Sequence, residues 1–562
     1  MPKKNPNQIL TELETWKRRY GEGDAKLRQL LSSLSRATFD DAESLVRLHE
    51  TVLFLRAYPH NPRVLKLVEQ ILKTFPQRIS RLRAADADLT PLDDPEVSGI
   101  TGMSVTSNFS YALVRWLVEK YPARLSIDWE WMENEDQFGV VLPKLMPLLD
   151  DDAMVEAHVP FHMWVRAASG GKSELVWLVK RFAALEISEA AKAHLYDSLK
   201  LHVRWEFSAV ASRTAMKLPA KRVFFHEQAL IKRREISLVN ELTAPPIQIE
   251  QLSVASGEKI LGMARETSAV RYRELHGFTY GDPARVIRAN LGRGTEAFVI
   301  TVPPEYRLPL RAYHAALIFK NGVPVGYFEG LSIAERMESG FNLYYTFRDG
   351  ETAWLYARIL RLMRQLLGVE VFSLDPYQIG HENEEGIESG AFWFYRKLGF
   401  RPVRPELQKL AAREEQKMAK DARHRTSLAT LRRLATGHMI FELRETGEWD
   451  RFEARNIGLA AQRRMAREFA GDSQTLRQNS VSFVNRALGL KKQETSSRLF
   501  ADLSIVLAED QNLANWSREE KRLAAEILRA KTHGQEADYL KKTQKHASLR
   551  ALLIKLGCGQ RR

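Results

Sequence analysis

A chain of 562 residues, 44% hydrophobic and 27% charged, is long enough for about three domains at one to two hundred residues each. No run approaches the roughly eighteen uninterrupted apolar residues of a membrane span, and the start, MPKKNPNQIL, has no apolar segment behind its lysines. The single cysteine, Cys558, excludes an internal disulfide and a cysteine-rich zinc cluster, so a cytoplasmic protein without membrane contact is expected, and a formal charge of +14, about +11 of it C-terminal to Pro405, admits a polyanionic partner.

Residues 1–245 read as one helix after another. Leu45, Leu48, Val52 and Leu55 follow a helical stripe, as do Leu113, Trp116, Leu117 and Tyr121, and no alternating strand intervenes, so an all-α N-terminal domain is expected. Turns recur at Tyr58-Pro59-His60-Asn61-Pro62 and at Ser169-Gly170-Gly171. Gly170-Gly171-Lys172-Ser173 is not a phosphate-binding loop, because the motif's first glycine would fall on Arg166 and no strand precedes it. His158 and His162 have i,i+4 spacing, but Pro160 lies between them and the glutamate of a zinc-binding helix is missing, so both read as structural.

Thr243-Ala244-Pro245-Pro246 cannot continue a helix and marks a boundary. Beyond it the pattern is mixed. Ile247 to Val254 alternates as a strand, Ser256 opens a helix toward Leu275, Ala284 to Leu291 reads as helix and Ala297 to Val302 as strand. Tyr313, Ala315, Leu317 and Phe319 alternate up to the hairpin turn Asn321-Gly322, and Val323, Val325, Tyr327, Leu331 and Ile333 form the return strand. A third strand, Phe341, Leu343, Tyr345 and Phe347, leads through Arg348-Asp349-Gly350 into a helix striped by Leu355, Ile359, Leu362 and Leu366 and ended by Gly368. Val369 to Leu374 is a strand, and after a polar loop a helix ends at Leu398-Gly399. Past Pro405 the chain is helical and rich in Lys and Arg, as in Leu410 to Lys420 and Arg518 to Arg529, with a short strand at Met439 to Leu443. The expected division is 1–245, 246–405 and 406–562.

The run Ala391-Phe392-Trp393-Phe394-Tyr395-Arg396-Lys397-Leu398-Gly399-Phe400-Arg401-Pro402 closely resembles the A-x-x-F-Y-x-K-L-G-F stretch that closes many GNAT N-acetyltransferase domains. The order of elements over 246–405 is similar to that family's as well. The resemblance implies a mixed α/β acyltransferase domain between the helical N-terminal domain and a mostly α, basic C-terminal region. It implies transfer of an acyl group from acetyl-CoA, or a related acyl-CoA, to an amine acceptor in a direct ternary complex, with no metal. It also implies a splayed pair of parallel strands, Tyr395 as the acid that protonates the leaving thiolate, and a pyrophosphate loop at Phe347, Arg348, Asp349, Gly350, Glu351, Thr352 and Ala353.

The residues have their own physical reading. Ile387, Ala391, Phe394 and Leu398 make an inward face, so the same stretch also serves as a helix-to-strand packing joint, with Tyr395 near its edge. Glu351 stands where the family's central glycine is expected, and there it would repel a pyrophosphate and crowd the backbone. Glu329 shares a period-two face with Val323, Val325, Tyr327, Leu331 and Ile333, which would raise its pKa and suit it as a general base; a bulge at Gly330 would instead turn it outward, and Glu335 and Glu338 are alternatives. In the loop Asp375 to Glu385, the acids and His381 either face a cationic acceptor or cap the next helix from Asn383. Two other functions remain open: a catalytically inactive scaffold on this fold, and a helical protein that binds nucleic acid or an acidic partner through its basic C-terminal region.

Overall fold

The computed structural model describes residues 5–132, 135–146, 159–208, 210–220, 222–490 and 497–559. His158 lies outside them. The N-terminal part opens with the helices Pro6–Trp16, Asp24–Arg36, Ala42–Ala57, Pro62–Leu72 and Phe75–Ala84, and the oxygens of Asn5, Asp41 and Asn61 accept first-turn N–H groups at three of their starts. Leu45, Leu48, Val52 and Leu55 are buried together, as the stripe requires. The domain is not all-α, however. Strands β1 (Ser104–Ser107), β2 (Leu125–Ile127) and β3 (Val203–Glu206) form an antiparallel sheet in the order β1-β3-β2. Three or four residues are too few for an alternation to stand out from the helical stripes around them. Gly170 and Gly171 take positive φ between two helices, and Ser173 caps the second, so that run is a helix-to-helix turn.

The middle of the chain builds one mixed sheet of nine strands: β4 (Gln248–Gln251), β5 (Ile287–Gly292), β6 (Thr295–Ile300), β7 (Ala312–Lys320), β8 (Val323–Ile333), β9 (Arg336–Leu343), β10 (Val371–Leu374), β11 (Arg401–Pro402) and β12 (Met439–Glu442). Its order is β11-β12-β10-β9-β8-β7-β6-β5-β4, and every neighbouring pair is antiparallel except β9 with β10. The helix expected over Ala284 to Leu291 is absent: after a single turn at Pro283–Arg285 the chain enters β5, whose Ala289 and Leu291 alternate into the core. The sheet also continues past Pro405, because β12 lies between β10 and β11.

One face of the sheet packs under the helix Thr352–Leu367, whose Leu355, Ile359 and Leu362 are fully buried and whose end is turned by Gly368 at φ +73°. The other face, with Phe298, Tyr313, Ala315, Leu317 and Phe319, receives the helix Val254–Ala269 through Ile260, Leu261 and Ala264. Helices Arg498–Leu507, Arg518–Thr532, Glu536–Lys545 and Ala547–Gly557 close on the sheet through Leu503, Leu528, Tyr539 and Leu553. A wholly buried ion pair fixes them: Lys531 Nζ lies 2.5 Å from Glu536, donates to Arg311 O at 2.9 Å, and Glu536 accepts the Tyr313 N–H. Among the described residues no helix is long and apolar enough to cross a membrane.

Candidate active site

The single parallel pair sets the geometry. β9 and β10 pair only at Arg336 with Val371, Met337 with Phe372 and Glu338 with Ser373; β9 then runs on to Leu343 while β10 ends at Leu374. The two strands therefore part at their C-terminal ends. Gln378, from the turn Pro376–Ile379, reaches into the gap, where its Nε2 donates to Phe341 O and to Tyr395 Oη, both at 3.1 Å. Tyr395 comes from the short helix Ala391–Arg396 and is only 3% exposed, packed edge-on to Tyr356 and Phe400. Burial holds its phenol well above the ordinary tyrosine pKa, with the Gln378 hydrogen bond pulling slightly the other way.

Glu329 pairs across β8 with Gly340 of β9 and Ala315 of β7. Its expected stripe is broken. The β7/β8 register shifts between Ile318 and Phe319, leaving Val325 as the extra residue, so Val323 and Val325 pack with the Thr352–Leu367 side whereas Tyr327 and Leu331 lie on the opposite face with Glu329. No bulge occurs at Gly330, which pairs regularly with His314 and Ser339. The Tyr313 hydroxyl donates to Glu329 Oε1 and itself accepts the Gly277 N–H at 3.1 Å. Burial raises the Glu329 pKa, and the Tyr313 hydrogen bond and nearby His276 offset part of that. Glu335 and Glu338 are committed elsewhere, the first to Arg550 at 2.5 Å and to the Trp449 indole, the second to Arg311 at 3.5 Å. Of the three carboxylates, Glu329 alone has no cation partner among the described residues.

The loop before the Thr352–Leu367 helix corrects the expectation for Glu351. Its side chain does not stand in the way of an approaching anion: it is 1% exposed and points inward, 2.7 Å from Arg293 Nη2 and 3.3 Å from Lys320 Nζ, while accepting the Ile231 N–H. Burial lowers the pKa of Lys320 to about 8, with Glu351 holding it up against that penalty. Gly350 is required by close approach, since a Cβ there would sit 2.5 Å from Tyr58 Oη. Asp349 pairs with Lys17 at 3.3 Å and Arg18 at 3.1 Å; Arg348 pairs with Glu96 at 3.1 Å and with Glu385. Phe347 and Ala353 are buried, and Thr352 Oγ1 bonds Arg348 O. Unlike the helices capped by Asp41, Asn61 or Ser110, this helix has no side-chain cap, and the N–H groups of Thr352, Ala353 and Trp354 meet no acceptor among the described residues. Three uncapped amides stand at the positive end of the helix dipole, while Lys17 and Arg18 are held by Asp349 in the preceding loop.

Asn383 does cap the helix Glu384–Glu388, accepting the Gly386 N–H, with Glu384 and Glu385 in its first turn. Sequence reasoning missed Gln378, Tyr313, Lys320 and Arg293. Tyr313 was legible as an alternating neighbour of the β8 carboxylate, and Lys320 as the residue before the Asn321-Gly322 turn. The contributions of Lys17, Arg18, Tyr58 and Glu96 come from distant sequence and left no local signal. Among the described residues no group of three His, Cys, Asp or Glu side chains could hold a metal ion. Comparison with known proteins finds no matching family model, no matching curated protein and no matching solved structure.

Proposed function

We propose that the chain is a GNAT-type N-acyltransferase that uses acetyl-CoA or a related acyl-CoA and an amine acceptor. The observation that carries this reading is the lone parallel pair β9 and β10, which separates after Glu338 and Ser373 and leaves the β10-side edge of β9 without a strand partner from Ser339 to Leu343, while its other edge stays on β8 beside Glu329, and Gln378 links the open edge to Tyr395. The later part of the order that the resemblance implies supports it too, a hairpin, a third strand, helix, strand and helix, although strand β5 stands where a second helix was expected. The amides of Thr352, Ala353 and Trp354 at the uncapped helix start would hold a pyrophosphate, and Lys17 and Arg18 would join them only on leaving Asp349. When bound, the acyl-CoA supplies an activated thioester carbonyl. Glu329 takes the proton of the acceptor ammonium, for which a raised carboxyl pKa suits it. Gln378 donates to the Tyr395 oxygen, so the Tyr395 O–H remains available to donate to the leaving sulfur as the carbon–sulfur bond breaks.

Calorimetric titration of the full chain with acetyl-CoA and with desulfo-CoA, repeated on Tyr395→Phe, tests this. Micromolar binding that survives the substitution, with loss of thiol release in an amine screen, is the expected result. One observation favours a second reading, a catalytically inactive scaffold: Arg348, Asp349, Gly350 and Glu351 are all engaged with protein partners. Absence of heat and of thermal stabilisation up to millimolar acyl-CoA would decide for it.

A further inference from the structure

The helix Pro405–Lys420 buries Leu407, Ala411 and Glu414, which turns Lys409, Arg413, Gln416 and Lys420 outward at spacings of four, three and four residues. Arg423 and Arg425 continue this stripe in the following loop. The Trp393 indole N–H donates to Thr426 Oγ1 at 3.1 Å and fastens that loop to the helix Ala391–Arg396, at whose end stands Lys397. Arg233, in the turn Arg233–Glu235, comes to the same place from before β4, and Lys397 has its pKa lowered by partial burial and then by Arg233 and Arg425.

None of these seven cations makes an ion pair among the described residues, although their neighbours do: Arg396 holds Glu415, Arg432 holds Glu384, and Glu414 is taken by Lys417 and His424. The remaining acids of the stripe are Glu406 and Asp421, both exposed, and Asp421 accepts the Arg423 N–H. Lys397, Arg233 and Arg425 come from three separate elements and repel one another with no carboxylate paired to any of them among the described residues, and an anion relieves that repulsion.

We propose that this stripe is a contact surface for the phosphate backbone of a nucleic acid. Its composition decides between polyanions. An acidic protein partner would need an apolar centre to the interface, whereas no large exposed hydrophobic side chain lies between Tyr377 and Leu428; phosphate contacts need only Lys and Arg along an extended face. The sixteen residues of the helix span about 24 Å, a length over which a backbone presents several phosphates. The proposal does not depend on the acyl-transfer reading.

The test is fluorescence anisotropy of the full chain with a labelled mixed-sequence RNA and a labelled DNA duplex, at salt from about 50 to 200 mM. The triple variant Arg233→Gln, Lys397→Gln, Arg425→Gln should bind both probes more weakly, with a salt slope lower by about 3. A charge-matched control, Lys541→Gln, Lys545→Gln, Lys555→Gln, changes exposed lysines on the last two helices and should keep the parent slope. Equal losses in the two variants would assign the binding to net charge and overturn the proposal. So would no binding at the lowest salt, or competition by polyglutamate as effective as by unlabelled RNA. The thermal unfolding of both variants should match the parent, since five of the six side chains are exposed and the half-buried Arg233 makes no ion pair among the described residues.

Discussion

Replacing Glu351 by Gln should weaken the fold, not free a ligand site. The amide oxygen of glutamine can still accept the Ile231 N–H, so the substitution removes charge and little else. Lys320, whose side chain is 0% exposed, then lies uncompensated beside Arg293, which is 28% exposed. Breaking a buried ion pair costs about 3–5 kcal/mol, and water reaching Arg293 places the expected loss at the lower end, about 3 kcal/mol. The pH dependence has a definite sign. Folded Lys320 gives up its proton at about 8 against 10.5 ordinarily, so its protonated form opposes folding below that pH, and parent stability rises from about pH 8 toward 10.5. Once Lys320 is neutral it has no attraction to Glu351 left to lose. The deficit of Glu351→Gln is therefore largest well below about pH 8 and shrinks as pH rises toward 8, leaving above it the share owed to Arg293. Urea and thermal unfolding at about pH 7 and pH 9.5, with hydrogen exchange at residues 351–355, measure it. A deficit below about 1 kcal/mol at neutral pH, or one that grows with pH, would refute the assignment of Glu351 as a tether.

Glu329→Gln should abolish the rising limb of the pH–rate profile and lower turnover by about 10²-fold or more, while its melting temperature at neutral pH does not fall, because a buried carboxylate with a raised pKa opposes folding when ionised. Tyr313→Phe removes a hydrogen bond that lowers the Glu329 pKa, so the same limb should move to higher pH; a shift to lower pH would exclude the contact. Tyr395→Phe is expected to cut turnover by about 10²-fold with acyl-CoA affinity retained, as read by thiol release against calorimetry. Glu536→Gln strands Lys531 in the interior and should cost about 3 kcal/mol, seen as early proteolysis or fast exchange in the last three helices before the rest of the chain opens.

Much of the fold was legible where periodicity was long. The hairpin at Asn321-Gly322, the Leu355 to Leu366 stripe and the Asn383 cap each follow from local chemistry, and each is present. The failures have equally local causes. Ile287 to Leu291 reads equally as a helix turn or a strand over so few residues, and only pairing with β4 and β6 decides it. The single extra residue at Val325 reverses which face the first half of β8 presents, and nothing in an alternating string announces it. At the site, Glu329 and Tyr395 were visible as a carboxylate on an apolar strand and a tyrosine on an aromatic helix. The inward turn of Glu351 was not, because its partners Arg293, Lys320 and Ile231 come from three other segments.

The insertion of β12 between β10 and β11 has a consequence for synthesis. Residues 371–374 can pair with β9 as soon as they emerge, but their other edge waits for residues 439–442, which register Val371 with Glu442 and Leu374 with Met439. The ribosome must therefore deliver the helices Pro405–Lys420 and Leu428–Leu434 before the sheet can shut. Until then the nascent chain carries an unsatisfied strand edge flanked by cationic helices, whose charge discourages that edge from pairing with another copy.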